Sequence, residues 1–95
     1  MKRYLITLGA KTTAGGVVIS ASSHASIAGA KVAVEGDQIQ CPACQSFGVI
    51  QCTQPRHPTS LNGKAAALSD DLCRCACLKP PKLIASQSQR YQQLA

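Results

Sequence analysis

The sequence predicts an all-β domain, a short β-repeat stapled by a structural metal. Three observations carry that prediction. Short β-branched runs alternate with glycine turns, and no stretch before the tail sustains a 3.6-residue period. A spacing of thirty-four residues relates Ile27 to Leu61, Gly29 to Gly63, Ala33 to Ala67, Asp37 to Asp71 and Cys41 to Cys75. Five of the six cysteines fall in two tight clusters, Cys41-Pro42-Ala43-Cys44 and Cys73-Arg74-Cys75-Ala76-Cys77.

Composition explains why a staple is expected. The chain has 95 residues, enough for one small domain. A domain of this size buries only about 60–65% of its unfolded surface. There is no Trp, one Phe and two Tyr, so the rings that usually dominate core burial are scarce. Small domains with thin cores take a disulfide or a metal as reinforcement. The N-terminal stretch (Met1-Lys2-Arg3, then Tyr4 to Leu8) is too short and too interrupted to read as a signal peptide, since a Thr falls inside it and Lys11 ends it. It reads as a first strand. No run approaches the length of a membrane span. A cytoplasmic start with reduced cysteines is therefore expected, and reduced cysteines favour zinc.

In chain order, residues 4–8 alternate as a strand and residues 11–16 form a tight loop around Gly15-Gly16. Val17-Val18-Ile19 and Lys31-Val32-Ala33-Val34 are β-branched strands, separated by small polar residues. Glu35-Gly36-Asp37 is a turn, and Gln38-Ile39-Gln40 leads into the first cysteine pair. Phe47-Gly48-Val49-Ile50 echoes Gly15-Gly16-Val17-Val18, so the second half repeats the plan of the first. Two extra residues fall near Pro55-Arg56-His57-Pro58, and a third, partial copy begins at Gly9-Ala10-Lys11-Thr12-Thr13. Such a period is the mark of a repeat array or β-solenoid. If the copies wrap around one axis, Cys41 and Cys75 reach the same end of it. After Cys77 the prolines end the cluster loop, and Leu83-Ile84 reads as a last strand. The domain is expected over residues 1–86. Residues 87–95 are expected as a polar C-terminal tail, a short helix or the start of a linker.

These residues resemble the PAAR-repeat family, the tip proteins of the type VI secretion spike. The matching segments are Thr12-Thr13-Ala14-Gly15-Gly16-Val17-Val18, Gly29 with the Ala-Val strand, Gly36-Asp37, Cys41-Pro42-Ala43-Cys44, Gly48-Val49-Ile50 and Asn62-Gly63-Lys64-Ala65-Ala66. The resemblance covers residues 9–86. It departs at Gly9-Ala10 and Asp70-Asp71, where the family has Gly-Asp, and at Ala14, where many members carry a zinc-binding His. The chain therefore resembles a cysteine-rich subgroup in which thiolates replace histidines. The resemblance implies a short cone with zinc near its vertex, whose base caps and sharpens a trimeric VgrG-type spike, one chain per trimer. It also implies aid in membrane puncture, transient contact with the target membrane and recruitment of secreted effectors. The protein would be cytoplasmic before firing and then delivered into the target cell.

The preferred zinc ligands are Cys41, Cys44, Cys75 and Cys77, with Cys73 as the competitor for the fourth place. Four thiolates leave no open coordination position, so the Zn2+ would be structural. Cys52, in the strand Val49-Ile50-Gln51-Cys52, reads as a small core residue. His24 and His57 read as loop histidines. With Glu35, Asp37, Asp70 and Asp71 the only acids, no paired-carboxylate or Ser/His/Asp arrangement stands out, and Gly15-Gly16 lacks the Gly-Lys-Ser/Thr of a phosphate loop. No enzymatic activity is expected. The net charge of +6 is spread over single Lys and Arg residues, a pattern read as a solvated surface. No nucleic-acid partner is expected, although a zinc-ribbon-like nucleic-acid module is one alternative. The N-terminal delivery domain of a larger toxin is another.

Overall fold

The structure is a computed structural model and describes residues 2–27, 29–53, 60–61, 63–76, 79–87 and 89–93, with backbone alone at 60 and 61. Short strands follow one another along the chain: β1 (Lys2–Tyr4), β2 (Lys11–Thr12), β3 (Val17–Val18), β4 (Ser26–Ile27), β5 (Ala30–Lys31), β6 (Gln38–Cys41), β7 (Ser46–Gln51), β8 (Ser60–Leu61), β9 (Lys64–Ala65), β10 (Leu72–Arg74), β11 (Leu83–Ile84) and β12 (Tyr91–Gln93). No helix occurs among the described residues, so the all-β prediction holds.

Three backbone hydrogen bonds form a ring at one end. Ile6 N–H donates to the Ala67 carbonyl at 2.9 Å, Ala67 N–H to Ala33 at 3.0 Å, and Ala33 N–H to Ile6 at 2.9 Å. Single antiparallel bridges join the same three segments, pairing Leu5 with Leu68, Thr7 with Val32 and Val34 with Ala66. Each segment then turns in the same way. Ala10, Asp37 and Asp71 donate back to Thr7, Val34 and Leu68 at 3.0–3.1 Å. The corner before each donor has positive φ, at Gly9 (91°), Gly36 (92°) and Asp70 (69°). Glycine meets that requirement without strain, and Asp tolerates it.

From each corner a hairpin rises. The hairpins β2–β3, β6–β7 and β10–β11 form one sheet in the order β10-β7-β6-β3-β2-β11. That sheet closes on itself. Leu72 bridges Lys82, Cys73 N–H donates to the Pro81 carbonyl at 2.8 Å, and Leu83 N–H donates to Asp71 at 2.8 Å. A closed sheet leaves no open edge along the barrel. Between hairpins the chain runs out into two-stranded ribbons, β4–β5 and β8–β9. The third ribbon is made by the two ends of the chain, β1 with β12. Tyr91–Gln93 is therefore a paired strand, not the short helix read from its composition. Its edge-to-face contact with Tyr4 (ring centroids 5.5 Å apart) and the Lys2 ammonium 4.6 Å from the Tyr91 ring hold it in place.

The thirty-four-residue repeat is therefore real, and it wraps around an axis. Ala33 and Asp37 superpose in role on Ala67 and Asp71, and the partial first copy supplies Ile6 and Ala10. Lys11-Thr12 belongs to a strand, not to the loop read from sequence. Val32 and Val34 make isolated bridges on either side of Ala33 instead of a continuous strand, because the segment crosses the base and meets a different neighbour on each side.

The core is the barrel interior. Ile6, Ala33 and Ala67 floor it, and Val18, Ile50 and Leu83 fill it at equivalent positions of the three descending strands. Two aspartates are buried at the corners and fully satisfied. Asp37 accepts from Val34 N–H (2.8 Å), Ser22 N–H (3.1 Å), Ser22 Oγ (2.7 Å) and Ser20 Oγ (3.2 Å). Asp71 accepts from Leu68 N–H (2.8 Å), Thr53 N–H (3.0 Å) and Thr53 Oγ1 (3.1 Å). It also takes the Arg3 guanidinium at 2.7 Å in a buried ion pair. Arg3 also donates to the Ser69 and Thr53 carbonyls and to Thr53 Oγ1. Removing one partner of a buried pair strands the other charge. Asp71→Ala is expected to cost about 3–5 kcal/mol of stability, read as a fall in the urea midpoint. Lys31→Ala, at an exposed position, should stay within about 0.5 kcal/mol of the parent.

Candidate metal centre

At the end opposite the ring, the three hairpin loops converge. The first spans residues 13–16, the second follows β6, and the third follows β10. Counting up from the shared corner, Ala14, Cys41 and Cys75 take the same position in the three copies. The loops are shaped by their own residues. In the first, Thr12 Oγ1 accepts from Gly16 N–H at 2.9 Å and Ala14 N–H at 3.3 Å. In the second, Gln45 N–H donates to the Pro42 carbonyl at 3.2 Å, with Gln45 itself at positive φ (52°).

The sulfurs of Cys41, Cys44 and Cys75 lie within 4.8 Å of one another. Cys41 is fully buried, while Cys44 and Cys75 are half-buried against the core, as is Ala14. Two sulfurs bound to one tetrahedral zinc at about 2.3 Å stand roughly 3.8 Å apart. The donor set and its spacing therefore suit a thiophilic ion. Cys77 lies outside the described residues. So does His57, while His24 is exposed in the segment before β4.

Cys73 lies beneath the trio. It points into the barrel at the level of Ile39 and Thr12 and is fully buried. Burial, reinforced by the neighbouring thiols of Cys75, Cys41 and Cys44, pushes its pKa up to about 12. Its thiol thus lies close enough to the trio for their charges to disfavour its ionisation. Cys52 sits away from this group, toward the base. Its N–H donates to Glu35 Oε2 at 3.0 Å, and its sulfur lies 4.0 Å from the Ala66 carbonyl.

Two residues that the sequence reading passed over shape the site. Ser46 Oγ lies 2.9 Å from Cys44 Sγ, and it accepts from Ala76 N–H at 3.4 Å. It therefore ties the second loop to the third. Its only sequence signal is its place two residues after the Cys-x-x-Cys pair. Gly48 is the second. A Cβ there would meet the Arg74 carbonyl at 2.7 Å, Cys73 Sγ at 2.8 Å and Cys75 Cβ at 2.9 Å. Gly16 and Pro81 take the equivalent places in the other two hairpins.

The closed threefold β-barrel carries its sulfur cluster at one end and its acidic residues in the turns at the other. Its site has the donors of a staple. A family model for the PAAR motif matches residues 8–78, well over half of the chain. The protein belongs to the PAAR-motif family, whose members serve as structural tips of the type VI secretion spike. No curated protein and no solved structure matches the chain.

Gly48→Ala tests how tightly the cluster is packed. The added methyl has to displace backbone of β10, so a loss of about 1–3 kcal/mol is expected. Thermal melting should show it, together with weaker retention of metal than in the parent protein.

Proposed function

We propose that this protein is the tip piece of a type VI secretion spike, seated by its base on a trimeric VgrG-type protein, one chain per trimer. The observation that carries the reading is the ring of hydrogen bonds joining Ile6, Ala33 and Ala67. A single chain offers a threefold partner three near-equivalent base segments, each flanked by a two-stranded ribbon. Short ribbons have backbone groups along their outer edges, and these suit strand addition to a β-structured partner. The barrel above the base then narrows the spike toward the sulfur cluster. The domain of residues 1–86, with β12 completing its third ribbon, is the part that docks, and recruitment of secreted effectors would use surfaces outside the base. In this role the protein is cytoplasmic until the spike fires, and it then enters the target cell.

In the same reading the cluster holds Zn2+ through Cys41, Cys44, Cys75 and a fourth thiolate. Cys77 is the preferred fourth ligand, and Cys73, already beside Cys75, is its competitor. Closed thiolate coordination supplies structure, not catalysis. Metal binding to small domains is worth about 10–16 kcal/mol of apparent free energy at neutral pH, much of it expressed as folding energy. That is large beside the net stability of an aromatic-poor core. It falls where the loops have little apolar surface of their own.

Two measurements test these statements separately. Cys41→Ser and Cys75→Ser should each lower bound zinc, read by elemental analysis, and lower the melting temperature. An unchanged zinc content and melting temperature would sink the staple. Cys73→Ser and Cys77→Ser, compared side by side, identify the fourth ligand as the one whose loss releases metal. For docking, co-purification with the trimeric spike protein and a gel-filtration mass of one chain per trimer are expected. A folded, zinc-loaded protein that does not associate with the trimer would refute the docking.

A further inference from the structure

The cysteines of the cluster differ in what can reach them. Cys41 and Cys73 belong to the barrel core and are fully buried. Cys44 and Cys75 are half-buried, one on the second loop and one on the third. Their sulfurs lie within 4.8 Å of each other. Ser46 holds the two loops in that relation. Its Oγ lies 2.9 Å from Cys44 Sγ and accepts from the N–H of Ala76, the residue after Cys75, at 3.4 Å. Cys44 is thus held against the third loop. A disulfide places two sulfurs about 2.05 Å apart, and side-chain rotation at two loop positions can close that gap without unpairing a strand.

We propose that Cys44 and Cys75 serve the apex in two alternative states, as metal ligands when reduced and as an interloop disulfide after exchange with a small-molecule disulfide. The inference rests on the metal site proposed above and adds its regulation. One of the two sulfurs attacks the small disulfide, whose S–S bond breaks and releases one thiol. The other sulfur then attacks the mixed disulfide and displaces the second thiol. Cys44 and Cys75 together give up two electrons, and the small disulfide takes up two. In the metal-free chain the two cysteine protons leave on the released thiols. In the loaded chain those protons come from solvent, and the metal ion, with two ligands gone, departs.

Either state joins the second loop to the third. Thiols persist in reducing compartments and disulfides in oxidising ones, so the apex stays tied in both. The Cys41–Cys44 pairing suggested by spacing alone would draw on a buried sulfur and leave the two loops unjoined.

The test uses the full chain, reduced and loaded with zinc, then treated with oxidised glutathione beside a chromophoric zinc indicator. Zinc release should keep pace with the loss of two hydrogens in the intact mass. Trypsin without reductant separates the candidates, because Cys41, Cys44 and Cys52 fall in the peptide 32–56, Cys73 in 65–74, and Cys75 with Cys77 in 75–82. The expected product links 32–56 to 75–82, with fragment ions placing the bond between Cys44 and Cys75. The oxidised, zinc-free chain should melt above the reduced, zinc-free chain, and dithiothreitol should remove that gain. Cys44→Ser and Cys75→Ser should each abolish the link, and Cys52→Ser should keep it. A bond confined to 32–56, a bond to Cys73 or Cys77, a lasting glutathione adduct or an absent gain in melting temperature would overturn the proposal. A reduced chain that holds no zinc refutes the staple, whereas one that holds zinc but yields no Cys44–Cys75 bond overturns the exchange alone.

Discussion

Three backbone hydrogen bonds, from Ile6 to Ala67, from Ala67 to Ala33 and from Ala33 to Ile6, set the geometry of the whole molecule. Three extended segments can satisfy one another in a ring only if each passes the axis closely. Close approach demands small side chains, and two of the three ring residues are alanine. The ring fixes where each corner begins, and the corners launch the hairpins in the same direction. Once three hairpins leave one ring at equal spacing, their edges meet, and the sheet has to close. Closure then forces the loops together at the far end, which brings cysteines from distant parts of the sequence into one cluster.

The division of labour between the two ends follows from size. Near the base the barrel is wide enough for Val18, Ile50 and Leu83, and burial of such side chains is worth about 1.5–3 kcal/mol each. Toward the loops the axis-facing positions are Thr12, Ile39 and Cys73, where Ile39 is the last large apolar group, and then Gly16, Gly48 and Pro81. Nothing that small can hold three loops together by apolar burial. Polar ties replace it, through Thr12 in the first loop and Ser46 between the second and third. The sulfurs of Cys41, Cys44 and Cys75 complete the set. A metal held at that point would act where hydrophobic stabilisation has run out.

Much of this was legible in the sequence, for a physical reason. Positions that face the axis or form a corner have one acceptable chemistry, so copies two and three kept Ala33 and Ala67, Asp37 and Asp71, Cys41 and Cys75 in register. The first copy was hard to read because it satisfies the same geometry differently. Ala10 replaces the corner aspartate, and Thr7, bonded to Ser86 at 3.1 Å, takes up the polar role there. Ala14 stands where the other copies place a cysteine. The corner at residue 70 was equally hidden, because Asp70 adopts the positive φ that glycine supplies elsewhere. The ion pair of Arg3 with Asp71 and the pairing of β1 with β12 join residues nearly a whole chain apart. No local pattern announces such contacts. The polar composition of Tyr91-Gln92-Gln93 even argued against a strand, since propensity is weakest where a ribbon has both faces in solvent.

The departures from threefold symmetry are as informative as the symmetry. At the base the backbone ring is equivalent in all three copies, so any partner that reads backbone there meets three similar surfaces. At the loops the copies differ, with Ala14 in one and cysteines in the other two, so any ion held there is bound from one side. On the barrel wall they differ again: β6 presents Gln38 and Gln40, whereas β10 and β11 with their flanks present Arg74, Lys82 and Ile84. One chain folded around a threefold axis can thus match a trimer at its base and still present a single distinct face above it. Three identical chains could not. Fusing the three copies into one sequence is what allows the base to stay symmetric while the wall and the apex diverge.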